Sequence, residues 1–483
     1  MSEPRATHRS GIAWPLAIAA IAWAIMARQP LFPTDLWGHV AYGEWIAANG
    51  VPATEPLLPS CDGVPMPPLD WLWKLAAYRL ATLGDGWLIW LQAAPVAAAF
   101  GFLAARWMAC TRSALATVAA SLTTGWLWWE QLIIRPQLVG MALFAAAWWI
   151  ASQATRPPVR MATLAALFAI WTQAHGSWPI GLAMLGLFAL ADRSPWRFAD
   201  LAAAAAAVCL NPAGPWVFLD VLGLAANPGV YDLIEWQPLS ATPRQLRATV
   251  CVTAALVGLV AATAYRRSPQ SWGRLAIAFV LLGLTWRTSR WIVWLAPVLA
   301  DAIADRIATL PRPNRPRVST GLAAAVAATA LGFAITAPPL RPAGVPTAAI
   351  DSLNSLDRPT GDAPETIFNR QGFGDALLWF GPEWQRPLVH SHVHLIPGDV
   401  WRDYRLAVSQ PADAPAILDR SGCRWVMLQR YRDGDLYDAL RATGQWDLVH
   451  HDQAAVLLRR AGRTPPQGEA GPRRSTLQNL PVE

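Results

Sequence analysis

Charge is scarce in this sequence. Of its 483 residues, 15% are Asp, Glu, Lys or Arg, against roughly 25% in soluble globular chains. A soluble enzyme, a coiled coil, collagen and a disordered chain are excluded by that figure. Lysine is nearly absent, Lys74 being the only one. The net charge of +7 is therefore carried by arginine, and the arginines are spread over loops rather than one helix face. That pattern excludes a nucleic-acid footprint and suits loops that orient a membrane protein. Cysteine is sparse too: Cys61, Cys110, Cys209, Cys251 and Cys423, with no Cys-x-x-Cys and no Cys/His metal spacing. No disulfide framework follows; a Cys61–Cys423 bridge would require both residues to face an oxidising compartment.

Apolar sequence is abundant, at 54% hydrophobic residues. Trp87–Ala105, Ser113–Trp129, Pro136–Thr155, Met161–Ala191 and Val318–Leu340 contain no charged residue. A bilayer core takes about 20 apolar residues per helix. The expected fold is an α-helical polytopic membrane protein with about 11 transmembrane helices. They centre on 11–29, 86–105, 113–130, 136–154, 160–175, 177–191, 198–211, 247–265, 275–286, 291–308 and 319–337. Gly11–Met26 reads as an uncleaved anchor, since no Ala-x-Ala site follows it.

Alternate loops differ in arginine. One set of helix ends carries Arg5/Arg9, Arg106/Arg112, Arg156/Arg160, Arg193/Arg197, Arg266/Arg267/Arg274 and Arg306/Arg312/Arg315/Arg317. The other carries Lys74, Arg79, Arg135, Arg244, Arg247, Arg287 and Arg290. Basic residues stay cytoplasmic in short loops, so the N-terminus is expected inside and the C-terminal region outside. Two outer loops, 29–84 and 211–244, are too long to be plain connectors. Within the first, Leu36–Ala48 reads as an amphipathic helix with Trp37 and Trp45 at headgroup depth. The expected transmembrane domain is 1–345. Residues 346–462 alternate strand and helix patterns, including a strand over Arg386–Leu395, and predict a small extracytoplasmic α/β domain. Residues 463–483, rich in Pro, Gly, Arg and Gln, are expected to be a disordered tail.

The spans read as nearly free of buried ionisable groups, while their outer ends carry Asp35, His39, Glu130, Arg135, Gln137, His175, Asn211, Glu235, Arg287 and Arg290. Ion-coupled transporters place charge at mid-membrane; this distribution instead suits an outward cavity that meets an amphiphile at headgroup level. Each residue has a plainer reading. Asp35 follows Thr34 and could cap a helix. Arg135 and Arg290 could snorkel. His175 could be a satisfied structural histidine, and Asn211-Pro212 could end a helix. His390, His392 and His394 alternate, which puts them on one face of a strand. A solvated strand face is the expected state, with metal ligation as its alternative.

Several motifs recur in order. Phe32-Pro-Thr-Asp-Leu-Trp-Gly-His-Val-Ala-Tyr-Gly-Glu-Trp-Ile is followed by Asn49-Gly-Val-Pro-Ala-Thr-Glu-Pro and Asp70-Trp-Leu. Then come Arg135-Pro-Gln, Trp171-Thr-Gln-Ala-His-Gly, Leu210-Asn-Pro-Ala-Gly, Ile234-Glu-Trp-Gln-Pro, Arg287–Pro297 and Phe368-Asn-Arg-Gln-Gly-Phe-Gly-Asp. Over most of the chain this order resembles a bacterial membrane family related to GT-C glycosyltransferases, as in the Rgt and dolichyl-phosphate-mannose transferase-like proteins. The chain departs from that pattern at Glu55 and Asp70, where the carboxylates are exchanged. It departs again at Asp375, in place of a second glycine, and at His390-Ser-His-Val-His394, where the family tends to have Asp-Gly-Arg.

The resemblance implies a glycosyltransferase of the bacterial inner membrane that moves a sugar from a polyprenyl-phosphate donor to a glycan, lipid or protein acceptor on the outer side. Asp35 is then the general base. Arg135, Arg287 and Arg290 bind the donor phosphate. His39, Glu55, Asp70, His175, Asn211 and Glu235 position substrate. No metal site is assigned; some GT-C enzymes use a divalent cation and others none. The alternative is a non-catalytic protein on the GT-C scaffold that binds glycan, lipid or an envelope-assembly partner. If the first reading holds, Asp35 shares a polar outer cavity with Arg135, His175 and Arg287 or Arg290.

Overall fold

The computed structural model describes all residues except 1–5, 32–34, 234–235, 240–242, 267–268, 310–319, 336–344, 359–363 and 462–483. The expected tail lies outside the described residues. The chain opens with α1 (Ala6–Met26), α2 (Leu36–Asn49), α3 (Trp71–Ala81), α4 (Ile89–Thr111), α5 (Ala114–Trp128) and α6 (Pro136–Ala151). It continues with α7 (Pro157–Ala174), α8 (Trp178–Asp192), α9 (Pro195–Val208), α10 (Val217–Ala226) and α11 (Pro243–Arg266). After these come α12 (Pro269–Arg287), α13 (Ile292–Ala308), α14 (Thr320–Ile335) and α15 (Thr347–Asn354). The last stretch interleaves β1 (Glu365–Asn369), α16 (Gln371–Phe380), β2 (Gln385–Pro387), α17 (Gly398–Ser409) and α18 (Ala414–Arg420). It closes with β3 (Trp425–Gln429), α19 (Gly434–Ala442), β4 (Trp446–His451) and β5 (Ala455–Arg460).

All eleven apolar segments read from the sequence are helical: α1, α4 to α9 and α11 to α14. Among the described residues one helix, over Gly86–Thr111, is long and apolar enough to cross a bilayer by itself. Seven further apolar helices run 10–17 residues.

The chain forms two compact units. The first holds 1–29, 89–223 and 231–340; the second holds 30–88, 224–230 and 341–483. This division differs from the one hydropathy suggests: the loop after α1 groups with the C-terminal region.

In the first unit α1 lies along α4 and α14, α4 on α6, α5 on α13, and α7 on α9. Small residues such as Ala19 and Gly101 let helix backbones approach. Proline in the first turn starts α6, α7, α8 and α9, where a missing N–H costs nothing. Leu115, Leu122, Trp126, Ile170, Leu190, Val257 and Val280 are exposed on this helical body. An apolar outer surface of that kind calls for an apolar surrounding. The interior corrects one expectation. Arg106 Nη2 meets Asp301 Oδ2 at 2.9 Å and Arg160 Nε meets Asp200 Oδ2 at 2.7 Å, all four side chains buried. The helices do hold ionisable groups, paired as burial demands.

The second unit is built on a five-stranded mixed sheet in the order β2-β1-β3-β5-β4. β1 pairs parallel with β2 and β3, and β5 pairs antiparallel with β3 and β4. α2 packs on α3 and α16. It is not the interfacial amphipathic helix expected, because residues 36–43 are buried on every face and Trp37 sits edge-on to Phe380, ring centroids 4.7 Å apart. The strand predicted over Arg386–Leu395 shrinks to β2, and residues 393–395 form a 3-10 turn. Cys61 and Cys423 are buried and separate, with no bridge.

Candidate functional site

The first turn of α2 carries the chemistry of the second unit. Asp35 precedes the helix, but its side chain makes no capping hydrogen bond, so the plain capping role is not the one it plays. Its Oδ2 lies 3.9 Å from His39 Nε2, one turn on. His39 Nδ1 lies 3.4 Å from Asp70 Oδ2, and Asp70 Oδ1 takes the buried Lys74 ammonium at 2.8 Å. Asp70 likewise precedes its helix without capping it. Burial alone would push the Asp70 carboxyl up, but Lys74 and His39 outweigh it and hold the group below the usual range. Asp35, His39, Asp70 and Lys74 thus form one chain of alternating acid and base.

A second chain runs beside it. His392 N–H donates to His390 Nδ1 at 3.0 Å, so that nitrogen is the acceptor and Nε2 carries the proton. His390 Nε2 then meets Tyr42 Oη at 2.8 Å, and Tyr42 donates to Glu55 Oε2 at 2.5 Å. Glu55 Oε1 accepts from Leu57 and Leu58 N–H at 2.7 and 3.2 Å. Glu55 therefore braces the loop against α2. Burial pushes the Tyr42 hydroxyl up, helped by the Glu55 charge, and burial raises Glu55 against its hydrogen bonds.

The histidine run is corrected. His390, His392 and His394 are not a solvated strand face; they are enclosed, with ring centroids 5.2 Å apart for the first pair and 5.8 Å for the second. Desolvation drives His390 down to about 3 and His394 to about 4, and takes His392 well below its ordinary value. All three imidazoles are neutral at pH 7. His392 stacks edge-on to His39 at 4.6 Å, and its Nε2 is buried with no hydrogen-bond partner among the described residues. His39, Asp70 and His392 offer three ligand atoms within 4.8 Å of one another.

Asp375 lies against α2. A Cβ at Gly38 would fall 2.0 Å from Asp375 Oδ1, so only glycine admits this approach. Asp375 accepts Ser391 Oγ at 2.8 Å and Ser391 N–H at 3.2 Å. Burial lifts its carboxyl to about 8, with the nearby Asp35 charge adding to the effect. Sequence reasoning noted Asp375 and the histidine run separately, as departures from a pattern. That they touch could not be read from positions 16 residues apart.

In the first unit Arg135, Arg290 and His175 lie at α6, while Asn211 and Arg287 lie at the ends of other helices. Arg135 immediately precedes α6. Arg290 Nε donates to Gln137 Oε1 at 2.9 Å and its guanidinium lies 5.5 Å from the Trp236 ring centroid. A Cβ at Gly140 would come 2.9 Å from His175 Nδ1, which places His175 against the same helix. His175 Nδ1 accepts from Ser177 N–H at 3.2 Å and meets Ser177 Oγ at 2.7 Å. Asn211 Nδ2 donates to Thr172 O at 2.8 Å and its Oδ1 accepts from Ala213 N–H, closing the turn after α9. Arg287 is exposed at the end of α12. Glu235 lies outside the described residues.

With this geometry in view, the fold is similar to that of solved GT-C glycosyltransferases. The chain is similar over 92% of its length to 97% of ArnT from Cupriavidus metallidurans bound to undecaprenyl phosphate, at 14% identity and a TM-score of 0.55. It is similar over 90% of its length to 72% of the archaeal oligosaccharyltransferase AglB from Archaeoglobus fulgidus, solved with an inhibitory peptide and a dolichol-phosphate, at 11% identity and a TM-score of 0.53. Against the arabinofuranosyltransferase AftD from Mycobacteria, 93% of this chain matches 40% of that one, at 16% identity and a TM-score of 0.60. No protein-family model matches the chain, and no curated protein does.

Proposed function

We propose that this protein is a membrane glycosyltransferase that moves a sugar from a polyprenyl-phosphate donor to an acceptor at the outer face of the bacterial inner membrane. The observation that carries the reading is the uncapped carboxylate of Asp35, next to His39 and Asp70, within a GT-C fold. A carboxylate at a helix-cap position that pairs with a histidine in place of capping has the chemistry of a base.

In this reading Asp35 takes the acceptor proton as general base. His39, fixed by Asp70 and Lys74, holds the carboxylate in place. Arg135, Arg287 and Arg290 receive the phosphate, with guanidinium forks suited to its oxygens. His175 and Asn211 shape the α6 side of the donor site, Glu55 braces α2, and Glu235 contacts substrate. Eleven helices span the membrane, with the N-terminus cytoplasmic and residues 346–462 periplasmic, following the arginine asymmetry. Helices shorter than about 20 residues cross by tilting little or by local thinning of the bilayer. Neighbours solved with undecaprenyl phosphate and dolichol-phosphate support a lipid-linked donor.

The test is a deletion strain whose envelope glycans are compared with the parent and with strains complemented by the wild-type or the Asp35→Asn gene. Loss of one glycan, restored by wild type alone, supports the reading. Restoration by Asp35→Asn favours the non-catalytic scaffold instead. Cysteine labelling near residues 270 and 440 tests the topology; labelling of both from one side contradicts it.

A further inference from the structure

We propose that His39, Asp70 and His392 bind a divalent ion of the zinc class, which clamps α2 and the start of α3 to the histidine segment between β2 and α17. The inference concerns the second unit's own architecture and stands whether or not the glycosyl-transfer reading holds.

Three observations carry it. First, the donor set is two imidazoles and a carboxylate, which zinc accepts. Donor atoms of a tetrahedral zinc site stand about 3.4 Å apart, from bonds of about 2.1 Å. His39 Nδ1 and Asp70 Oδ2 are 3.4 Å apart, and the full set lies within 4.8 Å, so His392 has at most about 1.4 Å to close. Second, His392 is 7% exposed and its Nε2 has no hydrogen-bond partner among the described residues. A buried polar nitrogen left alone is costly, and His392 offers a ring nitrogen within 4.8 Å of the other two donors.

Third, His392 is oriented from behind. Its Nδ1 lies 3.2 Å from Ser391 Oγ, and Ser391 donates its own proton to Asp375. The hydroxyl oxygen therefore accepts from Nδ1–H, which leaves Nε2 as the lone-pair atom. A hydrogen bond that fixes the other ring nitrogen in this way is the usual outer support of a histidine ligand. The two places where the chain departs from the pattern it resembles, Asp375 and His390–His394, are the two ends of this relay.

The experiment uses full-length protein in detergent, purified through a histidine-free tag, stripped with chelator and dialysed against zinc. Metal content by mass spectrometry should approach one zinc per chain in wild type and fall below about a tenth in His392→Gln and His39→Gln. Cobalt added to stripped wild type should give visible absorption of a four- or five-coordinate site, absent from those variants. Ser391→Ala keeps all three donors and should weaken affinity about 10–100-fold; it decides the matter if the histidine variants do not fold. Wild type that retains no zinc and shows no cobalt band overturns the proposal. So does equal zinc in wild type, His392→Gln and Ser391→Ala.

Discussion

Replacing Asp375 by asparagine should flatten the pH dependence of stability in the second unit. The carboxyl is 1% exposed, and burial lifts it from 3.8 to about 8. Between those values the native chain keeps a proton that the unfolded chain releases. Stability attributable to Asp375 is therefore fully present near pH 4 and is lost as pH rises towards 8. Each pH unit in that window costs about 1.4 kcal/mol, so pH 5 to pH 8 costs about 4 kcal/mol in metal-free protein. For a unit of this size that corresponds to about 10 °C in Tm. The substituted amide cannot ionise and keeps an oxygen for Ser391. Cys61 and Cys423 are buried in the same unit, so in a background with Cys110, Cys209 and Cys251 replaced by serine a thiol-reactive dye reports its thermal unfolding. Wild type should lose about 10 °C between pH 5 and pH 8, and Asp375→Asn less than half of that. Parallel pH profiles for the two proteins would refute the argument that this carboxyl is held protonated by burial.

Other perturbations follow from the packing. Gly43→Ala puts a Cβ 2.0 Å from the Lys74 carbonyl oxygen, and overpacking of that kind costs about 1–3 kcal/mol or more; the dye should show a lower Tm, and an unchanged one would mean α2 and α3 sit further apart. Arg106→Ala leaves the Asp301 charge buried and should cost about 3–5 kcal/mol, whereas Arg106→Met with Asp301→Leu should recover most of it; equal loss in both would mean the pair is not the cause. Arg290→Lys removes the fork that bonds Gln137 and should weaken polyprenyl-phosphate binding about tenfold, measured by titration in detergent, while unchanged affinity would remove Arg290 from the donor site.

What the sequence showed is uneven, for physical reasons. The helices were legible because apolar runs of this length have few other solutions, and α1, α4 to α9 and α11 to α14 all appear where hydropathy put them. Strands β1, β3, β4 and β5 were legible from alternation within a residue or two. The Arg386–Leu395 strand failed because the histidines alternate for a different reason: His390 and His392 pack against Tyr42 and His39, some 350 residues distant in the chain, and His394 packs on His392. The helix read over Leu36–Ala48 is present as Leu36–Asn49, but the burial of residues 36–43 on all sides depends on α3 and α16, which no local pattern encodes. Arg106 and Arg160 read as helix-end charges, and their buried pairing with Asp301 and Asp200 joins positions 195 and 40 residues apart, which no local pattern encodes. Arg290 and Gln137 were both flagged, and their hydrogen bond shows that motifs read in order also meet in space.

The central claim is that Asp35 removes a proton from the acceptor during sugar transfer. The direct measurement is single-turnover transfer from a radiolabelled polyprenyl-phosphate sugar pool to membrane acceptors, comparing wild type with Asp35→Asn, alongside equilibrium binding of polyprenyl phosphate to both. The substitution keeps size and leaves the α2 packing intact, since Asp35 makes no capping bond. The account predicts a loss of transfer of about 100-fold or more with binding and Tm unchanged. Transfer by Asp35→Asn at the wild-type rate would contradict it.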